Sequence, residues 1–343
     1  MATKIDLTMD AGFGHWVERA GATVVISTYQ AGKIVLIDHD GRQISVNMRD
    51  AHAPMGLAIE GSRMAVALRE SVVVLEDSPA LATDLHPREF FEHLYAPSVT
   101  HATGDIRAHE VAFGRDGLWI VNTRFSCLCL PSDQRAFEAR WRPTFVSALV
   151  PEDRCHLSGL AMEHGSPAYV TAHAATDTAD GWRDQKARGG VLIDVASGEP
   201  FVRGFTMPHS PRIAGGALWV LDSGEGALER IDRATGARTV IARLPGFTRG
   251  LCMVGSHALV GLSRIREAKV FGGLSIAAFL PQLVCGVAIV NTESGKVEGK
   301  LRFTSGCEEI FDVAVLPGRR RVQIDLQSAR ESTGRQSSAD SGD

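Results

Sequence analysis

The sequence predicts an all-β protein, a six-bladed β-propeller closed by strands from both ends of the chain. Three observations support this prediction. The 343 residues include 35 glycines, and short apolar runs bounded by Gly, Asp, Asn and Ser are typical of strands and tight turns. A unit of two apolar runs joined by a glycine-containing turn recurs six times. The last copy of that unit lacks following strands, and the first strands of the chain lack a preceding one.

The repeated unit is recognisable by its two short strands. It reads "MGLAIEGSRMAVAL", "HEVAFGRDGLWIVNT", "SGLAMEHGSPAYVTA", "PRIAGGALWVLDS", "RGLCMVGSHALVGLS" and "FDVAVLPGRRRVQI". Equivalent positions in the six copies, spaced 38 to 62 residues apart, are Gly56, Glu110, Gly159, Arg212, Gly250 and Asp312. This spacing is typical of propeller blades. Later hairpins such as "GALERIDRATGARTVIARL" supply the third and fourth strand of a blade.

The two ends of the propeller are predicted to share one blade. Residues 23–48 contain three strands, and residues 310–316 supply the missing inner strand. Closing the ring in this way removes exposed sheet edges. Seven blades is the alternative, because the segment 264–284 has room for further irregular structure. The predicted domains are a lead-in at 1–22, one propeller at 23–321 and a polar, disordered tail at 322–343.

Composition excludes several function classes. The net charge of −4 gives no basic field for nucleic acid, and no apolar run approaches the roughly 18 residues of a membrane span. The N-terminal residues lack the apolar stretch of a signal peptide, which predicts a cytoplasmic protein. The six cysteines form no CxxC pair, so we expect reduced, structural thiols. No GxGxxG or Walker pattern occurs, so no nucleotide cofactor is predicted.

Histidines stand where the chain enters the inner strands. In a propeller these strands line the central channel, so their entries gather around one mouth. Four of the six entries carry a histidine, at His52, His109, His156 and His209. Converging neutral imidazoles with carboxylates nearby suit a divalent transition metal. The predicted ligands of iron, copper or zinc are His109, His156 and His209, with His101 as a fourth. The alternative is that these histidines bond to the backbone and plug the channel.

Carboxylates of the same loops are candidates for catalysis. Glu309 or Glu110 is predicted to be a metal ligand, a partner that orients an imidazole, or a general base. Asp105, in the loop before His109, is the third candidate.

Arginines also gather in these loops and predict capture of an anion. A guanidinium binds a carboxylate or phosphate through two parallel hydrogen bonds. The candidates for substrate binding are Arg154, Arg183, Arg212 and Arg249. The alternative is salt bridging to acidic residues of the loops, such as Asp153, Asp180 and Asp184.

One aromatic residue, Trp182 in the polar insertion "ADGWRDQKARGG", is a further candidate for substrate binding. A large aromatic residue in a loop either fixes the loop to the body or forms a pocket wall. His173, at the end of a second strand, is placed where it can approach the mouth, but is favoured as an ordinary structural residue.

Several motifs resemble a known family. "STYQAGKIVLI", "HATGDIRAHEVAF", "EDRCHLSGLAM", "ADGWRDQK", "MPHSPR", "WVLDSGEG" and "PGFTRGL" are similar to segments of the DUF4915 family of uncharacterised bacterial proteins, over roughly residues 13–320. The resemblance implies a propeller-like fold and carries no established activity. Its motif positions include most of the mouth residues above, and they add Asn122 as a substrate-binding candidate. His52 departs from the family, where Cys is more usual.

These observations predict a metal-dependent enzyme at the histidine-rich mouth. An oxidoreductase, lyase or hydrolase acting on a small anionic or amino-acid-like substrate fits the residue types. The alternative is a non-enzymatic propeller that binds a protein or peptide partner through the same face. That alternative predicts exposed apolar or aromatic anchors there.

Overall fold

Six sheets, antiparallel except for one outer strand pair, surround a central channel in the computed structural model, which describes residues 4–85, 91–264 and 274–326. The inner strand of each sheet contacts the inner strand of the next, all the way round the ring. The predicted six-bladed propeller is therefore confirmed, and the described residues form no seventh blade. In the segment 264–284, residues Ser275–Gln282 form a 3-10 helix, and 265–273 lie outside the described residues.

The strands follow one another through the blades in chain order. The chain begins with β1 (Asp6–Met9) and helix α1 (Ala11–Ala20). Blade 1 contains β2 (Thr23–Ser27), β3 (Lys33–His39) and β4 (Ile44–Asp50). Blade 2 contains β5 (Leu57–Glu60), β6 (Arg63–Ala67), β7 (Ser71–Asp77) and β8 (His93–Ala102), with helix α2 (Pro79–Leu85) between the last two. Blade 3 contains β9 (Ala108–Gly114), β10 (Gly117–Asn122), β11 (Cys127–Leu130) and β12 (Glu138–Trp141).

The second half of the chain repeats this order. Blade 4 contains β13 (Leu157–Glu163), β14 (Ser166–Ala172), β15 (Gly190–Asp194) and β16 (Pro200–Phe205). Blade 5 contains β17 (Pro208–Ala214), β18 (Ala217–Asp222), β19 (Ala227–Ile231) and β20 (Arg238–Arg243). Blade 6 contains β21 (Phe247–Val254), β22 (His257–Ser263), β23 (Cys285–Asn291) and β24 (Val297–Ser305). The last strands are β25 (Asp312–Leu316) and β26 (Val322–Ile324), and the remaining 3-10 turns are Tyr29–Ala31, Gly181–Gln185 and Ser223–Glu225.

The ring closes as predicted, by strands from both ends of the chain. Strand β25 pairs with β2, with Ala314 opposite Val25, and completes blade 1 as its inner strand. Two further strands extend the sheets outward: β1 pairs with β24, and β26 pairs in parallel with β8. The lead-in thus contributes a strand to blade 6, and the segment predicted as a tail begins with a strand of blade 2. Residues 327–343 lie outside the described residues.

Helix α1 covers the gap between blades 6 and 1. The Asp10 carboxylate accepts a hydrogen bond from the Phe13 amide at 2.9 Å, which caps the helix N-terminus. The helix buries Phe13, Trp16 and Val17 against the core of this gap. No helix within the described ranges is long and apolar enough to cross a membrane.

Each gap between neighbouring blades holds an apolar core. Successive side chains of a strand point to opposite faces, so one strand serves two cores. In β3, Ile34 and Leu36 pack toward blade 2, and Val35 and Ile37 pack toward blade 6. This explains why many strands are apolar at every position rather than at every second one.

Glycines and charged residues alternate around the channel. The six equivalent positions of the repeat are, in ring order, Gly56, Glu110, Gly159, Arg212, Gly250 and Asp312. A Cβ at Gly56 would lie 2.7 Å from the Cα of Glu110, and a Cβ at Gly250 would lie 2.8 Å from the Cα of Asp312. In every second blade, the neighbouring inner strand is therefore too close for this position to carry a side chain.

The three charged side chains join the blades across the channel. Arg212 forms an ion pair with Glu110, and its Nη2 lies 4.0 Å from Asp312 Oδ1. Each charged group also bonds to the backbone of the next blade: Glu110 accepts from the Leu160 amide, and Asp312 from the Leu57 amide, both at 2.9 Å. Buried charges need such partners to be stable.

Replacing Gly250 by alanine tests the close approach of the strands. Gly250 has a φ of +82° and no room for a Cβ, whereas Gly255 in the adjoining turn has a φ of +57° and open space around it. We expect Gly255→Ala to lower the free energy of unfolding by about 1 kcal/mol through backbone strain alone. Gly250→Ala should lower it by about 3 kcal/mol, because the blades must also move apart.

Urea denaturation monitored by tryptophan fluorescence measures both changes. Equal losses for the two variants would contradict the steric argument, since only the backbone strain is common to them.

Candidate functional site

A cavity of about 390 Å³ lies at the end of the channel where the inner strands begin. All six blades contribute side chains to it. The lining consists of histidines, arginines, aromatic rings, methionines and two carboxylates: Tyr29, Met55, Arg69, Asp105, Arg107, His109, His156, His173, Trp182, Arg183, Met207, His209, Phe247, Arg249, Glu309 and Phe311. Its size and mixed lining are typical of a small-molecule site.

His156 is held by a buried carboxylate. Its Nδ1 lies 2.9 and 3.0 Å from the two carboxylate oxygens of Asp153, so Nδ1 carries the proton and donates it. Asp153 is 3% exposed and also accepts from Arg107 Nη1 at 2.8 Å. The other ring nitrogen, Nε2, has no hydrogen-bond partner among the described residues. It is therefore available as a proton acceptor at the cavity.

His109 differs from His156: it is a neutral ring whose acceptor nitrogen already accepts a hydrogen bond from the protein. Thr123 Oγ1 donates to the Leu157 carbonyl at 2.6 Å, so it accepts from His109 Nδ1 at 3.0 Å. The Nε2 atom of His109 then accepts from Arg249 Nη2 at 2.8 Å. Both nitrogens of His109 are thus engaged by the protein itself.

His209 and His173 complete a cluster of four imidazoles. Nδ1 of His209 donates to the Met207 carbonyl at 3.0 Å and lies 2.8 Å from Ser223 Oγ. Both nitrogens of His173 are buried and have no hydrogen-bond partner in the described structure. The four rings, His109, His156, His173 and His209, contact one another with centroid separations of 4.2 to 5.8 Å.

Burial keeps most of this cluster uncharged. Loss of hydration lowers the pKa of His109, His173 and His209 well below the ordinary histidine value. The nearby Arg249 guanidinium lowers the pKa of these rings further. Burial also lowers the pKa of Arg249 itself to about 10, against the opposing effect of Glu309. Arg249 remains a cation at neutral pH.

Arginines supply the charge of the cavity. Arg249 is the deepest of the four in the lining: its Nη1 donates to Glu309 at 3.1 Å, and its guanidinium carbon lies 3.3 Å from the Phe311 ring centroid. Arg69, Arg107 and Arg183 are about half exposed at the rim. Only two carboxylates, Asp105 and Glu309, are part of the lining, so the cavity surface is more cationic than anionic.

The backbone around the cavity is strained. Non-glycine residues with positive φ stand at the loop entries of blades 3, 4 and 5: Arg107 (52°), Asp153 (47°), His156 (52°), Met207 (51°) and Ser210 (49°). Each such residue costs on the order of 1 kcal/mol, and residues of this kind concentrate at functional sites. The strain supports a functional rather than purely structural cavity.

The structure brings most of the predicted site residues together. In the cavity lining are the predicted candidates Asp105, His109, His156, Trp182, Arg183, His209, Arg249 and Glu309. Trp182 both packs on the body of the protein and lines the cavity: it is 3% exposed, packs on Met207 and Phe247, and contacts the rings of His156 and His173.

Five predicted site residues lie outside this lining. Glu110 and Arg212 pair with each other in the channel. Arg154 donates to Glu152 and Asp177, as in the salt-bridge alternative. Asn122 Oδ1 accepts from the Phe125 amide at 3.0 Å, which closes the turn after β10. His101 lies on β8.

Sequence reasoning missed two members of the site. His173 was expected to be ordinary, yet it stacks on His156 with a centroid separation of 4.2 Å. Asp153 was considered only as a salt-bridge partner, yet its carboxylate orients His156. For Asp153, the available sequence signal was its position three residues before a histidine at the mouth.

The predicted metal ligands are His109, His156, His209 and His101. Within the described residues no group of three or more His, Cys, Asp or Glu side chains is arranged to hold a metal ion. Two of these four residues have other surroundings. His109 Nε2 is occupied by the Arg249 guanidinium, whose charge would repel a second cation, and His101 is not part of the cavity lining.

The fold and the cavity together define a six-bladed β-propeller with an imidazole- and arginine-lined pocket at one mouth. The sequence model of a family described as "Domain of unknown function (DUF4915)" matches residues 11–324. The chain therefore belongs to the DUF4915 family, which confirms the resemblance seen in its motifs. No curated protein matches this chain in sequence.

Two solved structures share the fold. A chain of the nidogen/laminin complex matches with a TM-score of 0.55 and 11% identity, covering 87% of this chain and 100% of that chain. A protein of unknown function from Bacteroides caccae matches with a TM-score of 0.53 and 10% identity, covering 86% and 98%. At these identities the likeness extends to the fold alone.

A His173→Phe variant tests whether the buried imidazoles are neutral. The unfolded chain protonates histidine below about pH 6.5, while the folded state does not, so each buried neutral ring lowers stability as the pH falls. We expect the loss of stability between pH 7 and pH 5.5 to be about 1 kcal/mol smaller in His173→Phe than in the wild type. Chemical denaturation at each pH measures it.

The variant is compared with the wild type because other buried groups also change the pH dependence of stability. Burial raises the pKa of Glu110 and of Asp222 to about 7, and proton uptake by these folded-state groups acts in the opposite direction. Trp182→Phe is the control, because it alters the same aromatic contacts without removing a titratable group. An unchanged pH dependence in His173→Phe would contradict the neutral assignment.

Proposed function

We propose that the protein is an enzyme that acts on a small anionic molecule and uses His156 as a general base. One observation carries the proposal: the imidazole of His156 is oriented by the buried Asp153 carboxylate, and its unpaired Nε2 belongs to a 390 Å³ cavity lined by arginines. A base oriented by a third group is a recurrent catalytic arrangement.

Asp153 acts as the positioning residue of this pair. By accepting from Nδ1, it fixes the tautomer that leaves Nε2 unprotonated, and it stabilises the positive charge that forms on the ring during proton transfer. Arg107 donates to Oδ2 of the same carboxylate, so Asp153 keeps its orientation. The strained backbone at Asp153 and His156 is consistent with such a fixed geometry.

The surroundings of His156 favour a substrate with negative charge. The other three imidazoles of the cluster are neutral, and Arg249 provides the buried cation. A substrate anion placed beside Arg249 would lie next to the histidine cluster, since Arg249 contacts His109 directly. Binding in a mostly buried cavity strengthens this attraction.

General-base chemistry at His156 fits two of the predicted reaction classes. In a lyase reaction Nε2 takes a proton from a substrate carbon, and the electron pair left behind expels a leaving group from the neighbouring carbon. In a hydrolase reaction Nε2 takes a proton from water, whose oxygen attacks the substrate; the bond to the leaving group then breaks, and His156 returns the proton to that group. Both begin with the same proton transfer to the same atom.

The His156→Ala variant tests the proposal. Wild-type and variant protein are incubated in D₂O with the small-molecule fraction of a bacterial extract, and mass spectrometry records which compounds gain deuterium or disappear. We expect at least one anionic compound to change with wild-type protein and to change at least about 100-fold more slowly with His156→Ala, because the base is lost. Asp153→Asn should show a similarly large loss, since the tautomer is no longer fixed.

His101→Ala is the matched control, because His101 lies outside the cavity lining and its loss should leave the rate unchanged. A compound converted equally by wild type and His156→Ala would argue against His156 as the base.

A metal-dependent reaction is the second candidate, supported by the four clustered imidazoles and the unpaired Nε2 atoms of His156 and His209. It requires His109 to release Arg249, and a redox-active metal would make the protein an oxidoreductase. Elemental analysis of purified protein tests it: about one equivalent of iron, copper or zinc, lost in His156→Ala but kept in His101→Ala, is the expected result of this candidate. Protein without bound metal and without a metal-induced thermal shift would contradict it.

A scaffold function has less support. Its predicted anchor, Trp182, is only 3% exposed, and the residues at the mouth form a concave cavity rather than a flat face.

A further inference from the structure

We infer that the ligand of this cavity is a carboxylate attached to an aromatic group, and that the indole N–H of Trp182 donates to it. The inference rests on the proposed function for the site, and adds the substrate class and a residue that determines specificity. It starts from hydrogen-bonding groups that the protein buries without a partner.

Four buried polar atoms without a partner belong to three residues of the lining: Nδ1 and Nε2 of His173, Nε1 of Trp182 and Nε of Arg249. His173 and Trp182 are 1% and 3% exposed. Leaving such a group unpaired disfavours the folded state, so buried polar groups normally have partners. Four of the nine such side-chain atoms in the described structure belong to this one lining, which supports a ligand that supplies their missing partners.

The chemistry of these groups identifies what the ligand must offer. The indole and guanidinium nitrogens are donors only, and a neutral imidazole has one donor and one acceptor. The four unpaired atoms thus provide three donors and one acceptor. Together with the excess of arginines over carboxylates in the lining, this favours an anion with several acceptor oxygens.

The remaining walls indicate the body of the ligand. Tyr29, Phe247 and Phe311 line the cavity together with the Trp182 ring. Flat apolar walls favour a planar, apolar group, and aromatic pairs gain attraction beyond simple burial. A carboxylate is itself planar, and its single charge suits Arg249, whose guanidinium is already paired with Glu309, better than a phosphate does.

Arg183 covers the indole in the structure described here. Its guanidinium carbon lies 4.5 Å from the Trp182 ring centroid, and its side chain is about half exposed. A ligand that stacks on this face of the Trp182 ring would displace the exposed Arg183 side chain.

Calorimetric titration with matched probes tests the inference. The probes are 3-phenylpropanoate, its neutral amide, 3-cyclohexylpropanoate and phenyl phosphate. We expect 3-phenylpropanoate to bind about tenfold or more tightly than each of the other three, because each lacks the charge, the aromatic ring or the carboxylate geometry. Binding of the amide or of phenyl phosphate as tightly as the carboxylate would overturn the inference.

Two tryptophan variants isolate the indole donor. Trp182→Phe keeps an aromatic ring and removes the N–H. Trp119→Phe is the matched control, because the Trp119 Nε1 is also buried without a partner but lies outside the cavity lining. We expect Trp182→Phe to weaken binding of 3-phenylpropanoate about tenfold and Trp119→Phe to leave it within about twofold. Equal effects of the two substitutions would overturn the role of the Trp182 donor.

The binding experiment separates this inference from the proposed function. Tight, Trp182-dependent binding without any conversion by wild-type protein would leave the inference standing and remove the proposed function. If conversion depends on His156 but binding shows no preference for the aromatic carboxylate, the proposed function stands and the inference is overturned.

Discussion

The narrow channel is the constraint on which the rest of this propeller depends. Six inner strands meet around an axis with room for a side chain at only every second position, so glycines alternate with Glu110, Arg212 and Asp312. The three charged groups compensate one another and bond to the backbone of the next blade. This ties neighbouring blades together and fills the channel, so that the cavity at its mouth has a fixed floor.

Next to these channel residues, the cavity buries groups that are unstable elsewhere in a protein. Imidazoles without charge, a guanidinium on an aromatic face and a non-glycine backbone with positive φ all need surroundings that hold them in place. Arg249 links these features, because it contacts His109, Glu309 and Phe311 at once. The stability of the propeller supports the strain of the site, which is a common division between scaffold and function.

The fold was largely predictable, and the site was predictable in part. Six copies of one strand pair reveal the blades, because each copy must place the same apolar faces in the same gaps. The entries of the inner strands then gather His109, His156 and His209 at one mouth, as the structure has them. Asp153 and His173 were missed because they stand on a loop and a second strand, whose distance from the mouth depends on the path of the chain.

The sequence by itself determined the blade count, the closure by both ends of the chain and the mouth at which the histidines meet. These follow from repeated local patterns, which are independent of long-range detail. Only the tertiary structure decided what each polar group does there. Glu110 and Arg212 neutralise each other in the channel, and Arg249 occupies the nitrogen of His109 that a metal would need. Such roles depend on side chains more than a hundred residues apart meeting within hydrogen-bonding distance, and no local pattern records those meetings.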